Sequence, residues 1–344
     1  MKKEKIADIE LTEDEDIFGR PTIPKVRVGR KELAKILHRQ LRKMTLEEFA
    51  ACLTTPWHEI VEYFDLLNGG KACQRTSLLF NPHRLDTVGG ISKLSIYQAI
   101  KTKDFASGFA RALLFKKKNQ GNHNLLYDTI QLGVNGVQYI NEFPPHVAQK
   151  IAKKCGVRKT SKVLDPCAGW GGRMIGISTI CNNYTACEPS TATHAGLIQL
   201  SEYITTMRRS FKSTVHMNCF EDVQFKESSF DFAITSPPYY DTEQYCDEET
   251  NSMNRYGNFD DWCEGFYLPL IHNTMHFLRP GSTFALNIGS RKWPLNKVLH
   301  DNCNFPIERM DGFFSGQAGG LGKKGEGETF YLIKKISKKL PKKV

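Results

Sequence analysis

The sequence predicts an α/β protein: a doubly wound, mostly parallel sheet in the C-terminal part, preceded by a mainly helical N-terminal region. Three observations point to it. After Asn141 short apolar runs alternate with helical segments. The first of these runs opens into a glycine-rich turn, Asp165-Pro166-Cys167-Ala168-Gly169-Trp170-Gly171-Gly172-Arg173, that leads into a helix. Before Asn141, apolar residues fall at helical spacing.

Taken in order, the first 18 residues are polar and end in Glu13-Asp14-Glu15-Asp16, with Pro21 and Pro24 after them. Residues 1–29 read as a flexible tail. From Arg30, the residues Leu33, Ile36, Leu37, Leu41 and Met44 bury one face of a basic helix. Thr45-Leu46-Glu47-Glu48 has the form of a capping box. Thr55-Pro56 places a cap and a first-turn proline before a helix over Trp57–Leu67. The stretch Leu94 to Leu114 is again helical in pattern, while the role of residues 69–136 is not legible. Residues 30–140 thus form the helical region and 141–337 the α/β domain, with a Lys-rich tail over 338–344.

Six strands are expected: Lys162–Leu164, Tyr184–Cys187, Ser213–Met217, Phe230–Thr235, Thr283–Ile288 and Thr329–Ile333. The segment Gly312–Gly327 reads as a loop.

Composition bounds the function. With 344 residues, 40% hydrophobic and 21 of them Phe, the chain buries a sizeable core and is not disordered. Ten Cys without a Cys-x-x-Cys pair, and no apolar signal segment after Met1, point to reduced thiols in the cytoplasm. No apolar run approaches the roughly 18 residues of a membrane helix, so no membrane partner is expected.

The net charge of +10 is uneven. Nine Lys or Arg lie between Gly19 and Lys43 against one acid, Glu32, with further clusters at Lys116–Lys118 and Lys334–Lys343. One such cluster is ordinarily a solvated surface; three together favour a polyanion, because each phosphate contact releases counterions.

The glycine-rich turn lets backbone approach a ligand, and the helix after it offers free amides. Glu188 ends the second strand 23 residues after Asp165, where an acid accepts from both ribose hydroxyls of a nucleotide-like cofactor. A dinucleotide enzyme shares both features. The fourth strand separates the two: it opens into Thr235-Ser236-Pro237-Pro238-Tyr239, where two prolines leave carbonyl oxygens to accept from an amine and a tyrosine can stack on a flat ring.

The order Asp-Pro-x-x-Gly-x-Gly at Asp165 to Gly171, the acid Glu188 and Thr-Ser-Pro-Pro-Tyr at 235 to 239 resemble the amino-methyltransferase family of DNA-modifying enzymes. Asn141-Glu142-Phe143-Pro144-Pro145-His146 is similar to the segment by which that family closes over the methionine end of its cofactor, and Leu278-Arg279-Pro280-Gly281 to its approach to the fifth strand. The resemblance covers residues 141 to about 337.

It implies a Rossmann-like methyltransferase sheet, S-adenosylmethionine as cofactor, DNA as partner and a modification enzyme of the restriction-modification kind. Ser236, before the two prolines, implies the N4 amine of cytosine as target, methylated by direct in-line transfer. Ser236, Pro237, Pro238 and Tyr239 become the catalytic set. Phe143, Pro144, Asp165, Pro166, Gly169, Gly171 and Glu188 hold the cofactor, with Asp165 assigned to the methionine amino group.

Asn218 and Cys219 stand where the family commonly has an adenine-reading Asp, so Glu221 or Asp222 takes that place; Cys167 replaces a common Phe. No metal is expected: His272 and His276 lie four apart without a third ligand. The acidic stretch Tyr240 to Asn258 reads as either a flap or a solvated loop. Target recognition falls to the basic N-terminal region, since about 70 residues separate the two motifs. Two alternatives stay open: an adenine N6 or RNA base methyltransferase of the same fold, and a catalytically silent nucleic-acid-binding protein.

Overall fold

The structure, a computed structural model, describes residues 42–54, 58–70, 75–89, 94–102, 142–289, 292–311 and 329–336, with isolated positions elsewhere. The basic helix from Arg30, the Thr55-Pro56 cap, the Lys116–Lys118 cluster, the Leu94–Leu114 pattern beyond Thr102, the Gly312–Gly327 segment and the Lys-rich tail lie outside those residues. The chain divides into two compact units, residues 1–55 with 91–139 and residues 56–90 with 140–344.

In the first unit Thr45 caps the helix Leu46–Cys52: its hydroxyl accepts from the Glu48 amide at 3.2 Å and the Glu48 carboxylate accepts from the Thr45 amide at 2.8 Å. That is the capping box expected from the sequence. A second one, unforeseen, starts the helix Ile96–Ile100, where Ser95 and Gln98 satisfy each other's amides. The Tyr97 ring meets Phe49 with centroids 6.4 Å apart, and its hydroxyl donates to the Met44 carbonyl.

The main sheet of the second unit pairs seven strands among the described residues: β1 (Lys162–Asp165), β2 (Asn183–Cys187), β3 (Lys212–His216), β4 (Phe230–Thr235), β5 (Leu278–Ile288), β6 (Ile307–Met310) and β7 (Thr329–Lys334). Their order is β3-β2-β1-β4-β5-β7-β6, parallel from β3 to β5 and antiparallel at β7 and β6. This is the doubly wound α/β fold with a Rossmann-like strand order, and all six expected strands are present. Strand β6 escaped the sequence reading because Ile307-Glu308-Arg309-Met310 is a short, charged edge strand. Strand β5 also starts earlier than expected, its Leu278 pairing with Phe230 before an irregularity.

The helices of this unit are α1 (His58–Leu67), α2 (Thr76–Phe80), α3 (Pro145–Lys154), α4 (Gly172–Ser178), α5 (Thr191–Met207), α6 (Leu268–Phe277) and α7 (Leu295–Asn302), with shorter turns between them. Consecutive strand residues point to opposite faces, so each strand feeds two cores. Val163, Phe232, Ile234 and Ala285 pack with Met174, Leu197, Leu200 and Ile151 from α3 to α5. Leu164, Ala233, Phe284 and Leu286 pack with Leu270, Met275, Leu295 and Leu299 from α6 and α7. A π-helical turn over Cys263–Tyr267 precedes α6, where Pro269 cannot supply an amide to a regular ladder.

Residues 56–90, placed by the sequence with the N-terminal helical region, cluster with the sheet instead. The reason is packing and polar satisfaction. Tyr63 and Leu66 of α1 are buried in the first of the two cores. The Asn81 amide donates to the Trp170 carbonyl at 3.0 Å, and Arg84 pairs with Glu142 at 2.8 Å with both side chains buried.

Candidate active site

The chain leaves β1 toward β2 and β3 on one side, then returns to lay β4 on the other, so a crevice opens at the carboxyl ends of β1 and β4. A cavity of about 210 Å³ occupies that position. It brings together Phe143, Pro144, Pro166, Gly169, Glu188, Glu221, Ser236, Pro237, Pro238 and Tyr239, ten of the twelve site residues read from the sequence.

The glycine-rich turn is held by its own backbone. The Ala168 amide donates to the Cys187 carbonyl at 2.9 Å, tying the turn to the end of β2. Gly169 has φ 55° and donates its amide to Glu188 Oε2 at 3.0 Å. Glu188 Oε1 accepts from the Ser190 amide at 3.0 Å. Burial nonetheless raises the Glu188 carboxyl to about 7, against the two amides that favour its charged form.

The other two expected residues, Asp165 and Gly171, do not line the cavity. Gly171, at φ 95°, is the N-cap of α4, where an added Cβ would meet Leu200 at 2.4 Å. Asp165 is fully buried beneath the turn. Its carboxylate accepts from Arg173 Nε at 2.7 Å, Tyr184 OH at 2.7 Å, Thr235 Oγ1 at 2.9 Å and the Cys167 amide at 3.3 Å. It therefore braces the turn and meets the cavity through Arg173 and Cys167, which do line it. Burial, then the Asp165 charge, push the Cys167 thiol well above its usual range, so it is a packed thiol rather than a thiolate nucleophile.

Of the two acids expected in place of Asn218 and Cys219, Glu221 lines the cavity and Asp222 does not. Glu221 Oε1 accepts from Tyr256 OH at 3.0 Å and Arg255 Nη1 at 3.2 Å. Its Oε2 is buried without a hydrogen-bond partner among the described residues, as is the Ser252 hydroxyl on the same cavity wall. Burial raises the Glu221 carboxyl. Asp222 instead stands half exposed, paired with Arg255.

Beyond Pro238 the stretch 240–258 is tied down at several points. Tyr240 has φ 57° and packs edge-on against Phe259 and Trp293. Asp241 accepts from Trp293 Nε1 at 2.6 Å. Glu243 and Gln244 pair with Gly89 and Val88. Glu248 accepts from the Thr191 amide at the start of α5, where the helix dipole favours an anion. Tyr245, Cys246, Asn251 and Ser252 of this stretch complete the cavity wall.

Sequence reading missed several wall residues and one behind the wall. Glu142 and Arg173 lie inside the quoted motifs, so their signal was at hand. Glu142 Oε1 accepts from the Gly172 amide at 2.7 Å, joining the segment before α3 to the start of α4. Asn287 is fully buried on β5, and its amide lies 3.2 Å from both Ser236 Oγ and Tyr239 OH. A polar residue in the apolar run Ala285-Leu286-Asn287-Ile288 was the available signal.

No family model matches this chain, and no curated protein does. Among solved structures it is similar to a SAM-dependent O-methyltransferase of Thermotoga maritima, at 14% identity over 59% of this chain and 69% of that one, with a TM-score of 0.40. A 16S rRNA N2 methyltransferase of T. thermophilus, solved with AdoMet and guanosine, aligns at 15% identity over 58% of this chain and 46% of that one, TM-score 0.39. An rRNA methylase of Streptococcus thermophilus aligns at 11% identity over 58% of this chain and 99% of that one, TM-score 0.38.

Proposed function

We propose that this chain is an S-adenosylmethionine-dependent methyltransferase acting on an exocyclic amine of a nucleic-acid base, with N4 of cytosine in DNA as the target. The observation that carries the reading is one cavity lined by both motifs: the Gly169 turn with Glu188 and Glu221, and Ser236-Pro237-Pro238-Tyr239.

The cofactor fits the polar groups present. Glu188 suits the ribose hydroxyls, and the unpartnered Glu221 Oε2 suits the adenine amine. Phe143, Pro144 and the backbone of Pro166 to Gly169 would surround the methionine end, with Asp165 holding that turn in shape. When bound, S-adenosylmethionine supplies an electrophilic methyl group.

An exocyclic amine is a weak nucleophile because its lone pair is delocalised into the ring. Ser236 Oγ and the Pro237 carbonyl would accept its two hydrogens and draw the nitrogen toward tetrahedral geometry. A base reaches such a pocket only out of the stack. The +10 net charge supports a nucleic-acid substrate, and Ser236 supports cytosine.

The test is incubation of the purified protein with tritiated S-adenosylmethionine and unmethylated genomic DNA, then digestion and chromatography of the nucleosides. Label in N4-methyldeoxycytidine is expected. Label in N6-methyldeoxyadenosine overturns the target base, label only in RNA overturns DNA, and cofactor binding with no label in any substrate overturns the enzymatic reading.

A further inference from the structure

The hydroxyls of Ser236 and Tyr239 lie 2.9 Å apart, and both are within 3.2 Å of the Asn287 amide nitrogen. That nitrogen carries two hydrogens, one for each hydroxyl oxygen. Tyr239 OH also donates to the Asn287 main-chain carbonyl at 3.4 Å. With the Tyr239 hydrogen spent there, the hydrogen shared between the hydroxyls comes from Ser236. The reverse order gives up the bond to that carbonyl. Ser236 Oγ then receives one Asn287 hydrogen, gives its own hydrogen to Tyr239 and keeps one lone pair. Ser236 lines the cavity and Asn287 does not, so the remaining lone pair is what a ligand can meet.

We propose that Asn287 is a positioning residue that fixes Ser236 as a hydrogen-bond acceptor toward the cavity, so that the site selects a target presenting an amine over one presenting a carbonyl at the same place. This rests on the base-methyltransferase reading above and adds to it the group that sets its selectivity. A buried acceptor facing a carbonyl leaves both oxygens unsatisfied, and discrimination of this kind is large compared with that of an apolar pocket.

The experiment compares binding of single-stranded oligodeoxycytidylate with oligodeoxyuridylate, and oligodeoxyadenylate with oligodeoxyinosinate, by fluorescence anisotropy with S-adenosylhomocysteine present. Each pair exchanges an amine for a carbonyl. The wild-type protein is expected to prefer the amine member of its target pair by about tenfold. Asn287→Leu, which removes both donors, should bring that preference to within about twofold. Asn287→Asp lets both hydroxyls donate to a carboxylate, leaves Ser236 an acceptor and should keep the preference.

A residue that matters only for packing lowers binding of both members alike and leaves the ratio unchanged in Asn287→Leu, which overturns the proposal. Affinity for S-adenosylmethionine, measured by calorimetry, shows that each variant is folded; if Asn287→Leu fails that control, Asn287→Ala carries the same comparison. A wild-type protein that labels a DNA base yet shows no amine preference also overturns the proposal while leaving the function standing. A protein that labels no base and shows no preference sinks the function itself.

Discussion

Arg173 Nε donates to Asp165 Oδ2 at 2.7 Å, and both side chains are buried beneath the glycine-rich turn. Desolvation is the largest single effect and works against the guanidinium, but the charge and hydrogen bond of Asp165, with Tyr184 and Cys167, together outweigh it and hold Arg173 protonated. Removing one partner strands the other as a buried charge. Arg173→Leu should therefore cost about 3–5 kcal/mol in urea denaturation. A loss below about 1 kcal/mol would mean that Tyr184 and Thr235 suffice to satisfy Asp165.

On the proposed function, Glu188 should link stability and cofactor binding to pH with opposite signs. Its carboxyl is raised from 4.5 to about 7, so the folded protein holds a proton that the unfolded chain releases. The stability this group contributes is full below the unfolded value and is lost as pH rises through about 7. Ribose hydroxyls donate best to the carboxylate, so affinity for S-adenosylmethionine should rise over the same window. Thermal denaturation and calorimetry between about pH 5 and 8 read the two slopes, and Glu188→Gln should remove both. Slopes that persist in Glu188→Gln would assign the titration to another group.

Glu221 lines the cavity, and Tyr256 and Arg255 hold its Oε1. Tyr256→Phe should weaken cofactor binding by about threefold to tenfold by releasing that carboxylate. Asp222→Asn, at a half-exposed partner of Arg255, should change it by less than about twofold. Equal effects of the two would place Asp222, rather than Glu221, at the adenine.

Gly172 opens α4 where the chain from Glu142 passes close by. A Cβ there would lie 2.1 Å from the Phe143 carbonyl oxygen and 2.8 Å from Glu142. Backbone cannot swing aside as a side-chain end does, so Gly172→Ala should cost about 1–3 kcal/mol and reduce cofactor affinity as well. Wild-type stability in Gly172→Ala would show that the segment before α3 can move.

Ser236→Ala removes the hydroxyl expected to grip the target amine. Its kcat should fall about a hundredfold, while the dissociation constant for S-adenosylmethionine stays within about twofold. Labelling at the wild-type rate would leave the Pro237 carbonyl as sufficient and end the role assigned to Ser236.

The sequence by itself determined what is local. Six strands were legible because each apolar run is short and bounded by turn residues, and the run Ala285 to Ile288 still packs onto two faces despite Asn287. The two motifs were legible because glycine and proline dictate backbone shape without help from distant residues. Strand order then set them side by side: a β4 that lies next to β1 brings Ser236 to the cavity that Gly169 lines.

Tertiary structure alone decided the rest. That Asp165 supports the turn from below depends on Tyr184 and Thr235, which lie 19 and 70 residues away. That residues 56–90 join the sheet depends on a buried pair, Arg84 with Glu142, whose members are 58 residues apart. That the acidic stretch after Tyr240 closes the cavity depends on partners such as Val88, Thr191 and Trp293. Spacing and periodicity report how a segment folds on itself, whereas a buried polar group is satisfied by whatever the completed fold brings within about 3 Å of it.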